Sequence, residues 1–282
     1  MLNRQERRLR FLRRATDGPR PRFRRGVYLL PSLLTMAHMF CGYACVVYAM
    51  RGEYDTAAPF IGFAVVLDML DGRIARMTGT ASAFGAEFDS LADIISFGMA
   101  PAILSFQWGL SSLGRLGWAA GFLYVAAAAM RLARFNIQSA SGADKRYFVG
   151  MPSPAAAAIP AATVFAYPWG LYDYREALPA LAMVLVPAVL MVSTIRFRAF
   201  KNLDSKHRRP YTVLIFVAAA IMAIATHPRG ALVVIAYGYL ASAFIGMAVT
   251  RFKHRGGRGG DAVVEPPSAA ADPTAESVVG SR

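Results

Sequence analysis

Long apolar runs, most of them about 20 residues, govern what this chain can become. They cover approximately residues 27–50, 57–77, 82–108, 114–136, 152–171, 178–196, 210–226 and 230–251. An α-helix rises about 1.5 Å per residue, so such a run spans the roughly 30 Å hydrocarbon layer of a bilayer. Only a helix or a closed barrel satisfies its own backbone hydrogen bonds in that layer. The chain is 56% hydrophobic over 282 residues, and its apolar runs are too long for a soluble domain. The expected fold is an all-α integral membrane protein, a bundle of about eight transmembrane helices. Pro152, Pro154, Pro160 and Pro168 interrupt the fifth run, which a membrane helix tolerates when neighbours satisfy the freed backbone groups.

Three regions are expected: a basic arm at 1–26, the transmembrane domain at 27–252, and a disordered tail at 253–282, rich in Gly, Pro, Ala and Ser. The first run is too long for a signal-peptide core and no cleavage site follows it, so it is expected to be a retained span. Glu6 and Asp17 in the arm argue against a mitochondrial presequence. Cys41 and Cys45 lie one turn apart in an apolar helix, which indicates neither a disulfide framework nor a zinc site.

The formal net charge is +14, and ten arginines fall within residues 1–25. Their position points to lipid rather than nucleic acid. By the span boundaries above, the odd-to-even connections hold only Arg51, Arg115, Arg175 and Arg229, and the other 27 of the 31 Lys and Arg residues lie on the side of the termini. Basic residues concentrate on the cytoplasmic face, so both termini are expected there, in a multi-pass protein of the cytoplasmic (inner) membrane. Anionic lipid headgroups are the natural partner of the basic arm.

Four carboxylates interrupt the apolar pattern at the second and third runs: Asp68, Asp71, Asp89 and Asp93. Each would cost on the order of 2.5–3.5 kcal/mol at the centre of a membrane helix, so something must neutralise them. Residues three or four apart share a helical face. Asp68 therefore projects with Asp71, and Asp89 with Asp93. If the chain turns near Gly79 into an antiparallel helix, all four meet in one layer roughly 8–16 Å below the membrane surface, at about 1.5 Å per residue. Four carboxylates make a hard, oxygen-only site suited to Mg²⁺, Mn²⁺ or Ca²⁺, and two divalent ions would balance the charge. Such a pair commonly clamps a phosphoryl or pyrophosphate group.

The segment fits Asp-x2-Asp-Gly-x2-Ala-Arg-x8-Gly-x3-Asp-x3-Asp at Asp68, Asp71, Gly72, Ala75, Arg76, Gly85, Asp89 and Asp93. This resembles the signature of the CDP-alcohol phosphotransferases, integral membrane enzymes that make phospholipids. Three further stretches, Ser96–Pro101, Arg131–Asn136 and Gly150–Pro154, resemble the bacterial and archaeal membrane-type phosphatidylserine synthase branch. The likeness is good over roughly residues 27–160 and covers the last three runs only in pattern.

The resemblance implies a metal site of Asp68, Asp71, Asp89 and Asp93 holding two divalent cations, Mg²⁺ or Mn²⁺, with Asp93 as general base. It implies that Gly72, Ala75 and Gly85 border a cytidine diphosphate pocket, and that Arg76 contacts a phosphate oxygen or else snorkels to the surface. In the first run Pro31, Thr35, His38 and Gly42 make a polar or small stripe expected to face the bundle interior, with Thr35 joining the CDP-diacylglycerol contacts. Relatives often have Asn where this chain has Ser32 and His38, and His38 is expected to be a packing residue.

Arg131 and Arg134 share a helical face and are expected either to bind the acceptor or to act as positive-inside anchors; the loop residues Lys145 and Arg146 are the alternative candidates for that acceptor contact. The implied reaction moves a phosphatidyl group from CDP-diacylglycerol to L-serine with release of CMP, in an enzyme that is often a homodimer among relatives. Other acceptors within the family are glycerol 3-phosphate, inositol or inositol phosphate, and choline. From a different class, a cation or proton transporter would also carry membrane-embedded acids, although lining a path rather than clustered at one depth.

Overall fold

The computed structural model describes residues 24–79, 82–140, 147–193, 196–198 and 210–256. The start of the basic arm, the tail from 257 onward, and Lys145 and Arg146 lie outside the described residues. Each of the eight predicted apolar segments contains helix among the described residues, although the sixth ends at Val192, short of the predicted 196. Helix α1 runs Arg24–Met50 and α2 Tyr54–Thr78. Helix α3, Ala83–Asp93, passes through a wider π-helical turn at Ile94–Met99 into α4, Ala100–Trp108. A 3₁₀ turn at Leu110–Leu113 leads to α5, Arg115–Ala140, followed by α6, Ser153–Ala166, and α7, Tyr174–Val192. Helices α8, Pro210–Thr226, and α9, Pro228–Gly256, complete the order. The chain divides into two units, Met1–Ala243 and Phe244–Arg282, and the acidic motif lies in the first.

Among the described residues four helical stretches are long and apolar enough to cross a membrane: Leu30–Met50, Ala83–Trp108, Arg115–Gln138 and Tyr174–Val192. Helix α2 has 25 residues, but Asp68, Asp71, Arg73 and Arg76 lower its apolar character. Helix α6 is shorter than predicted, because Tyr167 precedes Pro168 and adopts a non-helical φ of −127° and ψ of 72°; a residue before proline is pushed out of the α region. The structure also adds a feature absent from the sequence reading. Strands β1, Tyr147–Val149, and β2, Arg196–Arg198, pair antiparallel with Phe148 opposite Phe197, joining the backbone beyond α5 to that beyond α7.

The distribution of side chains is that of an integral membrane protein. The interior is built largely from small residues, including Ala44, Ala49, Ala57, Ala64, Ala92, Ala127, Ala156 and Ala157, which let helices approach closely. Large apolar side chains face outward: Phe40 is 62% exposed, Phe122 72% and Trp118 75%. Water would disfavour such a surface, whereas lipid tails accept it.

Helix α1 packs most extensively on α2 and also on α3, the π turn and α4, while α5 packs on α7. At one end of this core Tyr54 Oη donates to Gln107 O at 2.7 Å, and Trp108 Nε1 donates to Tyr167 O at 2.6 Å. The arginines of the odd-to-even connections belong to this end: Arg51 in the turn after α1, Arg115 opening α5, Arg175 in the first turn of α7, and Arg229 over the Phe165 ring at 5.8 Å. The four aspartates sit toward the other end.

Candidate active site

The turn between α2 and α3 is specified locally. Gly79 caps α2 in the left-handed conformation, φ 63°, and its N–H bonds to Ala75 O; glycine adopts that conformation without steric cost. Ser82 then caps α3, its Oγ accepting from Gly85 N at 3.0 Å, a common N-terminal cap. These caps bring the chain back so that Asp68 and Asp71 of α2 and Asp89 and Asp93 of α3 form one electrostatically coupled group.

The geometry subdivides the group. Asp68, Asp89 and Asp93 each present a carboxylate oxygen, and His38 of α1 a ring nitrogen, all within 4.8 Å of one another. Asp71 is not in this set. It is buried, 3% exposed, and its Oδ2 accepts from Thr35 Oγ1 at 3.1 Å. Thr35, expected among the CDP-diacylglycerol contacts, therefore touches an acid and fixes its orientation. Its hydroxyl also reaches Pro31 O at 3.1 Å, so one proton is shared between two acceptors.

Two carboxylate atoms of the cluster, Asp89 Oδ1 and Asp93 Oδ1, are buried without a hydrogen-bond partner among the described residues, as are both ring nitrogens of His38. Buried polar groups are ordinarily paired. Convergence of unpaired oxygens and a nitrogen at this spacing fits a divalent cation, which would satisfy them together. The atoms that converge here include one nitrogen, from His38, beside the carboxylate oxygens that the sequence suggested.

Three close contacts hold α1 against the acids. Ser96 Oγ donates to the His38 carbonyl at 3.1 Å, and the His38 ring stacks on Phe97 with centroids 4.9 Å apart. Gly42 lies so near Ser96 that a Cβ there would stand 2.5 Å from Ser96 Oγ and 2.7 Å from Ser96 Cα. Ser96 and Phe97 both belong to the π turn that follows Asp93. In that turn the Ala100 N–H bonds Ile95 O, five residues back, and such widened turns frequently accompany functional sites.

On the opposite wall, Arg131 of α5 interacts electrostatically with Asp93 and Asp68, and its Nη1 donates to Ser153 Oγ at 2.6 Å. Arg134 has a different engagement: its Nη1 donates to Val192 O at 3.0 Å, one of the carbonyls that a helix end leaves without an intrahelical partner. Asn136 Nδ2 donates to Ser90 Oγ at 3.0 Å, tying α5 to α3 one residue from Asp89. Arg76 is exposed at the rim and interacts electrostatically with Asp68 and Asp71. Gly72, Ala75 and Gly85 are half-buried; a Cβ at Gly72 would meet Arg76 Nη1 at 3.4 Å and one at Gly85 would meet Ser82 Oγ at 3.1 Å.

Sequence reasoning assigned His38 to packing. The only signal for more was its place, between Thr35 and Gly42, on the polar stripe of α1.

An all-helical membrane core with an acidic cluster between its first three helices defines a class. The chain belongs to the CDP-alcohol phosphatidyltransferase family, whose model matches residues 28–188. It is 38% identical over 195 residues to the CDP-diacylglycerol–serine O-phosphatidyltransferase of Helicobacter pylori, covering 68% of this chain and 81% of that protein. It is 42% identical over 144 residues to the protein of the same name from Mycobacterium leprae, covering 49% and 48%. It is 34% identical over 170 residues to the archaetidylserine synthase of Methanothermobacter thermautotrophicus, covering 60% and 69%.

Proposed function

We propose that the protein is a phosphatidylserine synthase, transferring the phosphatidyl group of CDP-diacylglycerol to L-serine with release of CMP. The observation that carries this reading is the acidic cluster in a membrane core, with Asp89 Oδ1 and Asp93 Oδ1 unpaired among the described residues, in a chain whose curated relatives are named for that reaction. Two divalent cations, Mg²⁺ or Mn²⁺, held by Asp68, Asp71, Asp89 and Asp93, would neutralise the acids and polarise the pyrophosphate.

The chain's own residues do the rest. Thr35 orients Asp71. Gly72, Ala75 and Gly85 leave room for the cytidine diphosphate, and Arg76 offers a charge-assisted hydrogen bond to a phosphate oxygen at the rim. Arg131, which donates to Ser153 Oγ, receives the acceptor's carboxylate. Asp93 accepts the proton of the serine hydroxyl as that oxygen attacks the phosphorus bearing the lipid. The bond from that phosphorus to the bridging oxygen breaks, and CMP leaves with its electron pair, without a covalent enzyme intermediate.

The setting suits an amphiphilic donor. The diacylglycerol tails stay among lipids against the apolar outer surface while the headgroup reaches acids a few turns below the membrane face. Charge partition supports a multi-pass protein of the inner membrane with the site open to the cytoplasm, where serine enters. Membrane lipids and, as the resemblance implies, a second copy of the chain complete its partners.

The test is to incubate purified protein with CDP-diacylglycerol, Mg²⁺ or Mn²⁺ and a panel of alcohols, then identify the lipid formed. Phosphatidylserine with stoichiometric CMP is expected. A different lipid would replace serine with another acceptor, and transport of a labelled cation without CMP release would overturn the enzyme reading.

A further inference from the structure

We infer that His38 is a ligand of the cation site, adding one imidazole nitrogen to the carboxylates of Asp68, Asp89 and Asp93, and that this nitrogen biases the site toward Mn²⁺ over Mg²⁺. The inference rests on the reading that the acids hold metal.

Burial is the first support. The His38 side chain is 0% exposed, and neither ring nitrogen has a hydrogen-bond partner among the described residues. An imidazole placed only for packing would normally satisfy at least one nitrogen through a carbonyl, hydroxyl or carboxylate. Distance is the second. Nε2 lies 3.9 Å from Asp93 Oδ1, beyond hydrogen-bond range, so the two groups do not satisfy one another directly. Donors about 2.1 Å from one cation are separated by about 3 Å at right angles and about 4.2 Å when opposed. The observed 3.9 Å falls between these two separations, and the whole set, within 4.8 Å, contracts onto a bound ion.

Orientation is the third support. The carbonyl of His38 accepts from Ser96 Oγ and its ring stacks on Phe97, both within six residues of Asp93 in sequence. The contact of Gly42 with Ser96 holds α1 at this height. The imidazole is thus held facing the carboxylates by neighbours whose own positions depend on the helix that carries Asp89 and Asp93, the kind of outer support that metal ligands receive.

The donor set determines selectivity. Mg²⁺ demands oxygen ligands in near-ideal octahedral geometry, whereas imidazole nitrogen suits transition ions. Mn²⁺ accepts carboxylates as Mg²⁺ does and, as the first of the transition ions in the Irving–Williams order, tolerates nitrogen better, so one imidazole among carboxylates shifts the balance toward Mn²⁺ relative to Mg²⁺.

The deciding experiment is pulsed electron paramagnetic resonance on the full-length protein in detergent, loaded with Mn²⁺, prepared with natural histidine and with ¹⁵N-histidine. The expected spectrum shows a directly coordinated nitrogen whose coupling changes from the ¹⁴N to the ¹⁵N pattern with the label and disappears in His38→Asn. In parallel, competition of Mg²⁺ against bound Mn²⁺ should show selectivity for Mn²⁺ falling about tenfold or more in His38→Asn. Bound Mn²⁺ with no histidine nitrogen coupling in the unaltered protein overturns the His38 assignment and leaves the acid-held metal standing. No stoichiometric Mn²⁺ binding overturns both. The labelled unaltered protein decides between these outcomes even where His38→Asn fails to fold.

Discussion

Substituting Gly42 by Ala tests whether the contact between α1 and the π turn sets the geometry of the site. A Cβ at position 42 would lie 2.5 Å from Ser96 Oγ, 2.7 Å from Ser96 Cα and 3.0 Å from Ser96 Cβ. Carbon atoms rest about 3.5–4.0 Å apart, so the two segments must separate by about 1 Å. Overpacking of this kind costs about 1–3 kcal/mol, and loss of the Ser96 to His38 hydrogen bond adds about 0.5–1.5 kcal/mol, giving a total of about 1.5–4.5 kcal/mol. At about 2–4 °C per kcal/mol, thermal denaturation in detergent should begin roughly 3–18 °C lower. The same displacement parts His38 from Asp93 across the cluster, and a misplacement of about 1 Å can cost about 100-fold in turnover. Ser96→Ala in the same chain should restore little, because the backbone carbon of residue 96 would still stand 2.7 Å from the added methyl. A Gly42→Ala protein with the denaturation midpoint and CMP release of the unaltered enzyme would refute the reasoning.

Asn at Asp68, Asp71 or Asp89 should weaken metal binding and turnover together, whereas Asp93→Asn should cut turnover at saturating metal by about 100-fold or more, beyond its effect on affinity; metal titration of CMP release against calorimetric binding separates the two patterns. Thr35→Val removes the hydroxyl on buried Asp71, at about 1–3 kcal/mol for an unsatisfied acceptor, and should lower metal affinity about tenfold while Thr35→Ser restores it. A cytoplasm-dependent reporter fused after Arg251 should be active, since 27 of the 31 basic residues lie on the side of the termini; a periplasmic signal would mean the proline-interrupted fifth segment has been miscounted.

What the sequence could show followed from local periodicity. Helical spacing places Asp68 with Asp71 and Asp89 with Asp93, and the caps at Gly79 and Ser82 turn the pairs toward each other, so the acid layer was readable from one stretch of 26 residues. His38 comes from a different helix, 30 residues before Asp68. Its entry depends on how closely α1 approaches the π turn, a tertiary contact that no periodicity records. Thr35 was picked out, but its hydrogen bond to Asp71 required the register of α1 against α2. The π turn itself has no signature beyond Gly98 and Pro101, and two three-residue strands are too short to alternate visibly. Where α6 ends, by contrast, the cause was on view in Pro168.

In the proposed reading, acceptor choice involves the two arginines of α5, which the sequence offered as equals because they share a helical face. In the structure they have different partners. Arg134 supports the end of α7 through Val192 O, whereas Arg131 interacts electrostatically with Asp93 and Asp68 and donates to Ser153 Oγ. That bond joins two of the stretches that resemble the serine-using branch, Arg131–Asn136 and Gly150–Pro154. Serine differs from glycerol and inositol in carrying a carboxylate, and a site built to bond a group rejects competitors lacking it most strongly. A guanidinium grips a carboxylate with two parallel hydrogen bonds that an ammonium cannot reproduce. Arg131→Lys keeps the charge and loses that fork, a charged-group bond of about 1.5–3 kcal/mol, so the serine KM should rise about tenfold or more while the KM for CDP-diacylglycerol changes little. Arg134→Ala should instead lower thermal stability; a rise in serine KM there without loss of stability would return that arginine to the acceptor site. Glycerol 3-phosphate is the demanding control, because arginine also binds phosphate. Serine should support CMP release far better in the unaltered enzyme, and equal turnover with glycerol 3-phosphate would remove serine as the acceptor while leaving the family and its acid cluster in place.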